Sequence, residues 1–116
     1  MKWEKPEWRA ELSSTNTALA SIAKTPERAK DGYILAAHSQ THGKGRLGRN
    51  WCSQPGLDLT FSFLLKGMIA FRRLASLPMA VSLAVAETLQ DFGVTANTKW
   101  PNDLLVGEHK ICGILA

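Results

Sequence analysis

Residues 99–115 read Lys99-Trp100-Pro101-Asn102-Asp103-Leu104-Leu105-Val106-Gly107-Glu108-His109-Lys110-Ile111-Cys112-Gly113-Ile114-Leu115, and they predict a β-hairpin. Pro101-Asn102 makes a stiff turn after a short strand that ends at Lys99-Trp100. Asp103 to Val106 is the next strand, Gly107-Glu108 suits a two-residue turn, and His109 to Leu115 returns. Strict alternation along the return strand puts Lys110 and Cys112 on one face and Ile111 and Gly113 on the other. Whether Lys110 is an edge charge or a cation aimed into a site, spacing does not decide.

Moving toward the N-terminus, Ser76-Leu77-Pro78 reads as a helix entry, proline being tolerated in a first turn. Val81, Val85, Leu89 and Phe92 form its apolar stripe, and Gly93 stops it. Asp58 to Leu65 reads as a strand with Leu59, Phe61 and Phe63 on one face and Thr60, Ser62 and Leu64 on the other. Tyr33 to Ala37 is a buried strand. Ser13-Ser14-Thr15-Asn16 supplies capping oxygens for a helix carrying Leu19, Ile22 and Ala23, which Thr25-Pro26 ends. The order strand, helix, strands, helix, strands predicts an α+β fold with a mixed, largely antiparallel sheet and helices on one face.

At 116 residues with no linker or repeat, the chain is expected to be a single domain over 1–116. Lys plus Arg number 14 against 10 Asp plus Glu, a formal charge of +4. That permits steering of an anion but does not mark a nucleic-acid binder. Apolar residues at 45% and charged residues at 21% exclude a disordered tail and a fibre. Cys52 and Cys112 lack metal spacing, and no stretch resembles a signal peptide or a membrane span. A reduced, cytoplasmic protein is expected. The final residues are apolar, as at a sheet edge that invites another chain.

Chemistry concentrates in residues 38–51, HSQTHGKGRLGRNW. No acid lies between Asp31 and Asp58, while Lys44, Arg46 and Arg49 interleave with Gly43, Gly45 and Gly48. Glycines let backbone N–H groups approach an anion, and the cations neutralise it. With no apolar anchor between Gly43 and Gly48, the segment is expected to be a mobile loop that an anion clamps. The letters match G-x-G-x-x-G, but Pro55 and Gly56 follow instead of a helix, so a dinucleotide site is not expected. A P-loop fails for want of Gly-Lys-Ser/Thr. Asn102 and Asp103 read equally well as turn chemistry or as a polar site, and Ser14-Thr15-Asn16 as a cap or as ligand contacts. The four tryptophans read as core or anchors, with Trp51 and Trp100 each closing a polar motif. His38, His42 and His109 read as solvated or hydrogen-bonded.

Taken together, Ser14-Thr15-Asn16, Gln40, the run from Gly43 to Trp51, Lys99-Trp100-Pro101-Asn102-Asp103 and Lys110-Ile111-Cys112-Gly113-Ile114-Leu115 resemble the motifs of biotin–protein ligases, in order, over nearly the whole chain. The resemblance implies a fold related to class II aminoacyl-tRNA synthetases. It implies ATP and biotin as substrates, Mg²⁺, a biotinyl-5'-AMP intermediate, and a lysine on a biotin carboxyl carrier domain as acceptor. Ser14, Thr15, Asn16 and Gln40 would address the biotin head group, joined by Gly43, Gly45, Arg46, Trp51, Lys110 and Gly113. Arg46, Arg49, Trp51, Asn102, Asp103 and Lys110 would address the nucleotide, with Asp103 at the metal. Lys110, Arg46 and Arg49 would carry the catalysis.

The family usually has arginine where Lys44 stands, and several members have a basic residue at Leu47; lysine keeps the charge without the fork geometry. The family's later strands and small C-terminal domain are expected to be absent, so that the chain is a truncated catalytic domain. No helix-turn-helix precedes Ser13, so DNA binding is not expected. A homodimer or strand exchange through the open sheet edge is a further expectation. A lipoate–protein ligase is the alternative within the fold, although those relatives generally lack the basic loop and the KWPND turn. A non-catalytic RNA-binding module is the other alternative, weakened because no aromatic residue falls between His42 and Asn50.

Overall fold

A computed structural model describes residues 2–67 and 69–116. Its elements in chain order are β1 (Glu7–Leu12), α1 (Thr15–Ile22), β2 (Ile34–Gln40), β3 (Gly43–Lys44), β4 (Asn50–Trp51), β5 (Thr60–Phe63), α2 (Phe71–Leu74), α3 (Leu77–Asp91), β6 (Asn97–Lys99), β7 (Asp103–Val106) and β8 (His109–Gly113). The chain forms two compact units, Met1–Met68 and Ile69–Ala116.

In the first unit β2 is the central strand of the order β1-β2-β5. β1 runs parallel to it, Glu7 opposite Leu35 through Leu12 opposite Gln40, and β5 runs antiparallel, Ile34 opposite Phe63 through Ala37 opposite Thr60. A strand flanked on both sides is an unbroken apolar run, and Leu35, Ala36 and Ala37 are each only 1% exposed. β1 lay outside the sequence expectation: three of its six residues, EWRAEL, are charged, and they alternate with Trp8, Ala10 and Leu12. Charge is how an edge strand discourages pairing with a second chain. Glu7 on that edge accepts a short hydrogen bond from the Tyr33 hydroxyl and pairs with Arg9 and Arg28. The Tyr33 bond, and less so the two arginines, hold the Glu7 carboxyl below its usual range against the opposing effect of burial. Burial and then the Glu7 carboxylate push the Tyr33 phenol up.

α1 packs on β2 and β5 through buried Thr15 and Leu19. β5 alternates as its sequence predicts, but the face turned to the helix is the polar one: Ser62 is 8% exposed, whereas Phe61 is 44% exposed. On the other face Phe63 meets the Trp3 ring edge-on at 5.3 Å.

The second unit pairs α3 with the antiparallel order β6-β7-β8. Its core centres on Leu104, which is fully buried. Burying a leucine side chain contributes about 1.5–3 kcal/mol. The α3 stripe is half-buried at Val81, Val85 and Leu89. Phe92 does not continue it: this residue caps the helix end and is 79% exposed. Nor are the tryptophans core residues. Trp3, Trp8 and Trp100 are exposed, Trp51 is half-buried, and Trp8 stacks on His38 at 4.7 Å. Among the described residues the strands form separate ladders, and four of their five pairings are antiparallel.

Candidate functional site

In the first unit the N-terminus of α1 gathers a polar cluster. Ser14 is the N-cap, its hydroxyl accepting the Thr17 N–H at 3.3 Å. The Thr15 N–H, one of the donors a helix leaves without an internal partner, donates to Gln40 Oε1 at 2.8 Å across to the end of β2. Thr15 Oγ1 lies 2.8 Å from Ser62 Oγ, and the Ser62 hydroxyl donates a short bond to Asn16 Oδ1. Thr15, Asn16 and Gln40, expected together from their motifs, thus come together. Ser62 was not foreseen. The signal for it is a hydroxyl placed within an otherwise apolar strand, on the face that alternation assigns to one side.

The segment expected to be a mobile loop folds as a small hairpin. Gly43 pairs with Trp51 and Lys44 with Asn50. The Gly45 N–H donates to Arg49 O at 2.7 Å, and the Arg49 N–H to Arg46 O at 3.2 Å. Leu47 and Gly48 both have positive φ, +58° and +72°, the pattern of the primed turns that match strand twist. A non-glycine residue in that region costs about 1–2 kcal/mol. Leu47 is also 87% exposed, so no apolar burial offsets the strain.

Gly43 is the glycine the packing requires. A Cβ there would sit 2.5 Å from Trp51 O and 2.6 Å from Gln40 Nε2. It binds the hairpin closely to the Thr15 cluster. Lys44, Arg46 and Arg49 are exposed on the hairpin.

In the second unit the turn at Gly107-Glu108 sets Val106 opposite His109 and Leu105 opposite Lys110. Alternation along β7 then puts Lys110 on the face of Asp103, and the Lys110 ammonium lies 2.9 Å from Asp103 Oδ1. That side chain is 19% exposed against 42% for the lysine. Solvent does not reach Oδ1, and no donor is aligned with it for a hydrogen bond, so the contact is an ion pair set off the hydrogen-bond axis.

The expectation that Cys112 shares the lysine face is corrected. The register shifts between Leu104 and Leu105, so Cys112 lies opposite buried Leu104 and Gly113 opposite Asp103. An inserted residue in one strand, here Ile111, reverses the alternation beyond it. Burial, followed by the Asp103 charge, pushes the Cys112 thiol up. Asn102 clamps the exit of β8: its Nδ2 donates to Ile114 O and its carbonyl accepts the Ile114 N–H, both at 2.9 Å. The bond between Trp100 and Pro101 is cis.

Ser14, Thr15, Asn16, Gln40, Gly43 and Trp51 therefore belong to one unit with Arg46 and Arg49, and Asn102, Asp103, Lys110 and Gly113 to the other. Among the described residues no three His, Cys, Asp or Glu side chains cluster as a metal cage. Mg²⁺ carried by a nucleotide needs only one or two protein carboxylates beside the phosphates and waters, and Asp103 fits that lesser demand. No described helix is long and apolar enough to cross a membrane. Both cysteines are free thiols.

The family described as biotin/lipoate A/B protein ligase matches residues 8–116. The bifunctional ligase/repressor BirA of Bacillus subtilis is 33% identical over 90% of this chain and 32% of its own length. The biotin–[acetyl-CoA-carboxylase] ligase of Mycobacterium tuberculosis is 30% identical over 98% of this chain and 44% of its own. A solved biotin protein ligase from Aquifex aeolicus, in complex with biotin and ATP, superposes with a TM-score of 0.84. It is 38% identical over 97% of this chain and 46% of its own. The chain thus spans from 32% to 46% of the length of these relatives.

Proposed function

The chain belongs to the biotin/lipoate A/B protein ligase family, and from that premise we propose that it is the N-terminal part of the catalytic domain of a biotin–protein ligase, both units serving one activity. The reaction joins the biotin carboxylate to the α-phosphorus of ATP, releases pyrophosphate and gives biotinyl-5'-AMP. A lysine amine of a biotin carboxyl carrier domain then displaces AMP. The observation that carries the reading is the likeness, over nearly all of this chain, to a ligase solved with biotin and ATP. The basic hairpin and KWPND turn favour biotin over lipoate.

The residues supply the electrostatics this chemistry needs. Carboxylate and triphosphate are both anions, so cations must offset their repulsion as the bond forms. Arg46 and Arg49 address the phosphates and Lys110 the carboxylate; a preorganised contact of this kind is commonly worth about 10²–10³ in rate. The acyl phosphate hydrolyses readily, so a hairpin that covers it has a use. Thr15, Asn16 and Gln40 take the head group, with Ser14 shaping the helix start beneath them. Gly43, Gly45 and Trp51 complete that wall, with Gly113 giving a side-chain-free position opposite Asp103. Asn102 holds the Asp103 turn on the nucleotide side. Mg²⁺ would stabilise the departing pyrophosphate, with Asp103 as its protein ligand. No enzyme nucleophile is needed.

The carrier domain is the proposed macromolecular partner, and the cytoplasm, where free thiols persist, the proposed compartment. Homodimerisation or strand exchange through a sheet edge is checked by light scattering over a concentration series. Calorimetry with biotin and ATP, on this chain and on a version extended to the relatives' length, tests the function. Biotin heat that strengthens with ATP is expected in the extended form. Binding of lipoate in its place, or of single-stranded RNA with steep salt dependence, overturns the reading.

A further inference from the structure

We propose that β1 is a self-recognising edge, through which two copies of this chain pair antiparallel about a two-fold axis at Trp8. The contact concerns the N-terminal strand and not the apolar run at residues 111–116. It stands on the first unit alone and does not depend on the biotin reading.

β1 ends the order β1-β2-β5, so among the described residues it has a strand neighbour on one side only. One bond fixes the direction of its backbone. Leu12 O accepts the Thr41 N–H where the parallel ladder with β2 runs out. Leu12, Ala10 and Trp8 therefore turn their N–H and C=O groups toward β2. Glu7, Arg9 and Glu11 turn theirs outward, since the direction alternates with each residue. An antiparallel partner must set outward residues opposite outward residues, and the odd-numbered positions supply them. Pro6, with no N–H to give, falls in the inward set.

Lys5, Glu7, Arg9 and Glu11 alternate in sign. Reversed and laid beside itself about Trp8, the strand sets Glu7 opposite Arg9 and Lys5 opposite Glu11, each in both directions. A slip of two residues one way opposes Glu7 to Glu11 and Arg9 to Arg9. The same slip the other way opposes Glu7 to Glu7 and Lys5 to Arg9, and a slip of four keeps half of the matched pairs. Like charges directly opposite are destabilising, so the charges that keep arbitrary strands off this edge select one register of one partner. Glu7 already meets Arg9 within its own chain, and a second copy extends that pair into an alternating row. The rung on the axis lacks hydrogen bonds and brings facing side chains closest. Trp8 occupies it, 48% exposed and fixed by its stack on His38, so two indoles leave water together. The contact is isologous and closed, and it joins two three-stranded sheets into one.

Sedimentation of the chain over a concentration and salt series is the test. A contact of two short strands is a weak interface, so wild type should dimerise with Kd on the order of 100 μM, weakening as salt rises. Lys5 and Glu11 are both exposed. Lys5→Glu and Glu11→Lys each put like charges opposite in two places, and each should raise Kd about tenfold or more. Mixed one to one, the two variants restore every pair, because one carries acids at both positions and the other carries bases. Their heterodimer should form within about threefold of the wild-type Kd.

A wild-type chain that stays monomeric to roughly 1 mM overturns the proposal. So does a dimer that both single variants leave intact, or one that their mixture fails to restore while circular dichroism shows each folded. Hydrogen exchange on wild type decides the matter without a variant. The outward amides of Glu7 and Arg9 should exchange several-fold more slowly at about 500 μM than at about 20 μM, while the Ala10 amide, turned toward β2, changes little. Outward amides that do not respond to concentration refute the pairing.

Discussion

Three glycines sit within six residues on the basic hairpin, and alanine at each should act through a different cause. At Gly43 the added carbon would lie 2.5 Å from Trp51 O and 2.6 Å from Gln40 Nε2, the first about 0.9 Å inside the 3.4 Å at which ordinary contact begins. The oxygen belongs to the rung that pairs β3 with β4, so relief requires opening that rung or displacing Gln40 from the Thr15 N–H. Overpacking costs about 1–3 kcal/mol and the lost hydrogen bond about 1 kcal/mol more. Gly43→Ala should therefore destabilise by roughly 2–4 kcal/mol, moving a urea midpoint by roughly 1–3 M.

At Gly48 there is open space but φ is +72°, so alanine should cost about 1 kcal/mol through the backbone alone. At Gly45 φ is −99° and the nearest atom lies at 3.5 Å, so alanine should stay within about 0.5 kcal/mol of wild type. Urea melts give the energies, and hydrogen exchange at the Thr15 amide reports the Gln40 bond. If Gly45→Ala costs as much as Gly43→Ala, or if Gly43→Ala leaves both melt and exchange unchanged, the reasoning is wrong.

The Cys112 thiol is held up first by burial and then by Asp103. Asp103→Asn should lower its pKa and speed its alkylation at pH 8, measured by mass spectrometry against exposed Cys52. A depressed Glu7 stabilises the fold above its unfolded value near pH 4.3 and loses that contribution as pH falls through the folded value. A raised Tyr33 stabilises fully below about pH 10 and loses its share as pH rises through the folded value. Tyr33→Phe should accordingly flatten the acid limb of a stability profile in part, because Arg9 and Arg28 remain, and abolish the tyrosine's part of the alkaline limb. Under the proposed function, Arg49→Ala should weaken retention of biotinyl-5'-AMP by about tenfold or more while leaving biotin binding nearly unchanged. Equal effects on both ligands, followed by calorimetry in the extended chain, would refute a phosphate role.

Elements with a strong period or a decisive turn were legible in the sequence. β7 begins and ends where Asp103 and Val106 predicted, because Pro101-Asn102 and Gly107-Glu108 bound it chemically. α3 runs almost as read, between its proline and Gly93. What escaped depended on neighbours distant in sequence. β1 does alternate, Trp8, Ala10 and Leu12 against Glu7, Arg9 and Glu11, but neither face is fully buried, and what makes it a strand is the backbone of β2 beside it. The bulge at Ile111 is invisible in the letters, so strict alternation puts Cys112 on the face of Lys110, whereas the register turns it to the face of Leu104.

In the candidate site, the motif residues Thr15, Asn16 and Gln40 were named from the sequence. Their link through Ser62 was not, since 46 residues separate Ser62 from Asn16 and only the packing of β5 beneath α1 joins them. Gly43 was read as room for an anion, whereas the packing gives it a steric task against Trp51 and Gln40.

The ladders differ in how far the chain must travel to close them. β7 and β8 meet three residues apart, at Val106 and His109, whereas β1 must find β2 across 28 positions, from Glu7 to Leu35. Hairpins close in about 1–10 μs, while pairings between remote segments wait on a larger loss of chain entropy. During synthesis the first unit emerges before the second, but its sheet cannot finish until β5 is out. The hairpin bearing Lys110 emerges after it and can zip almost at once.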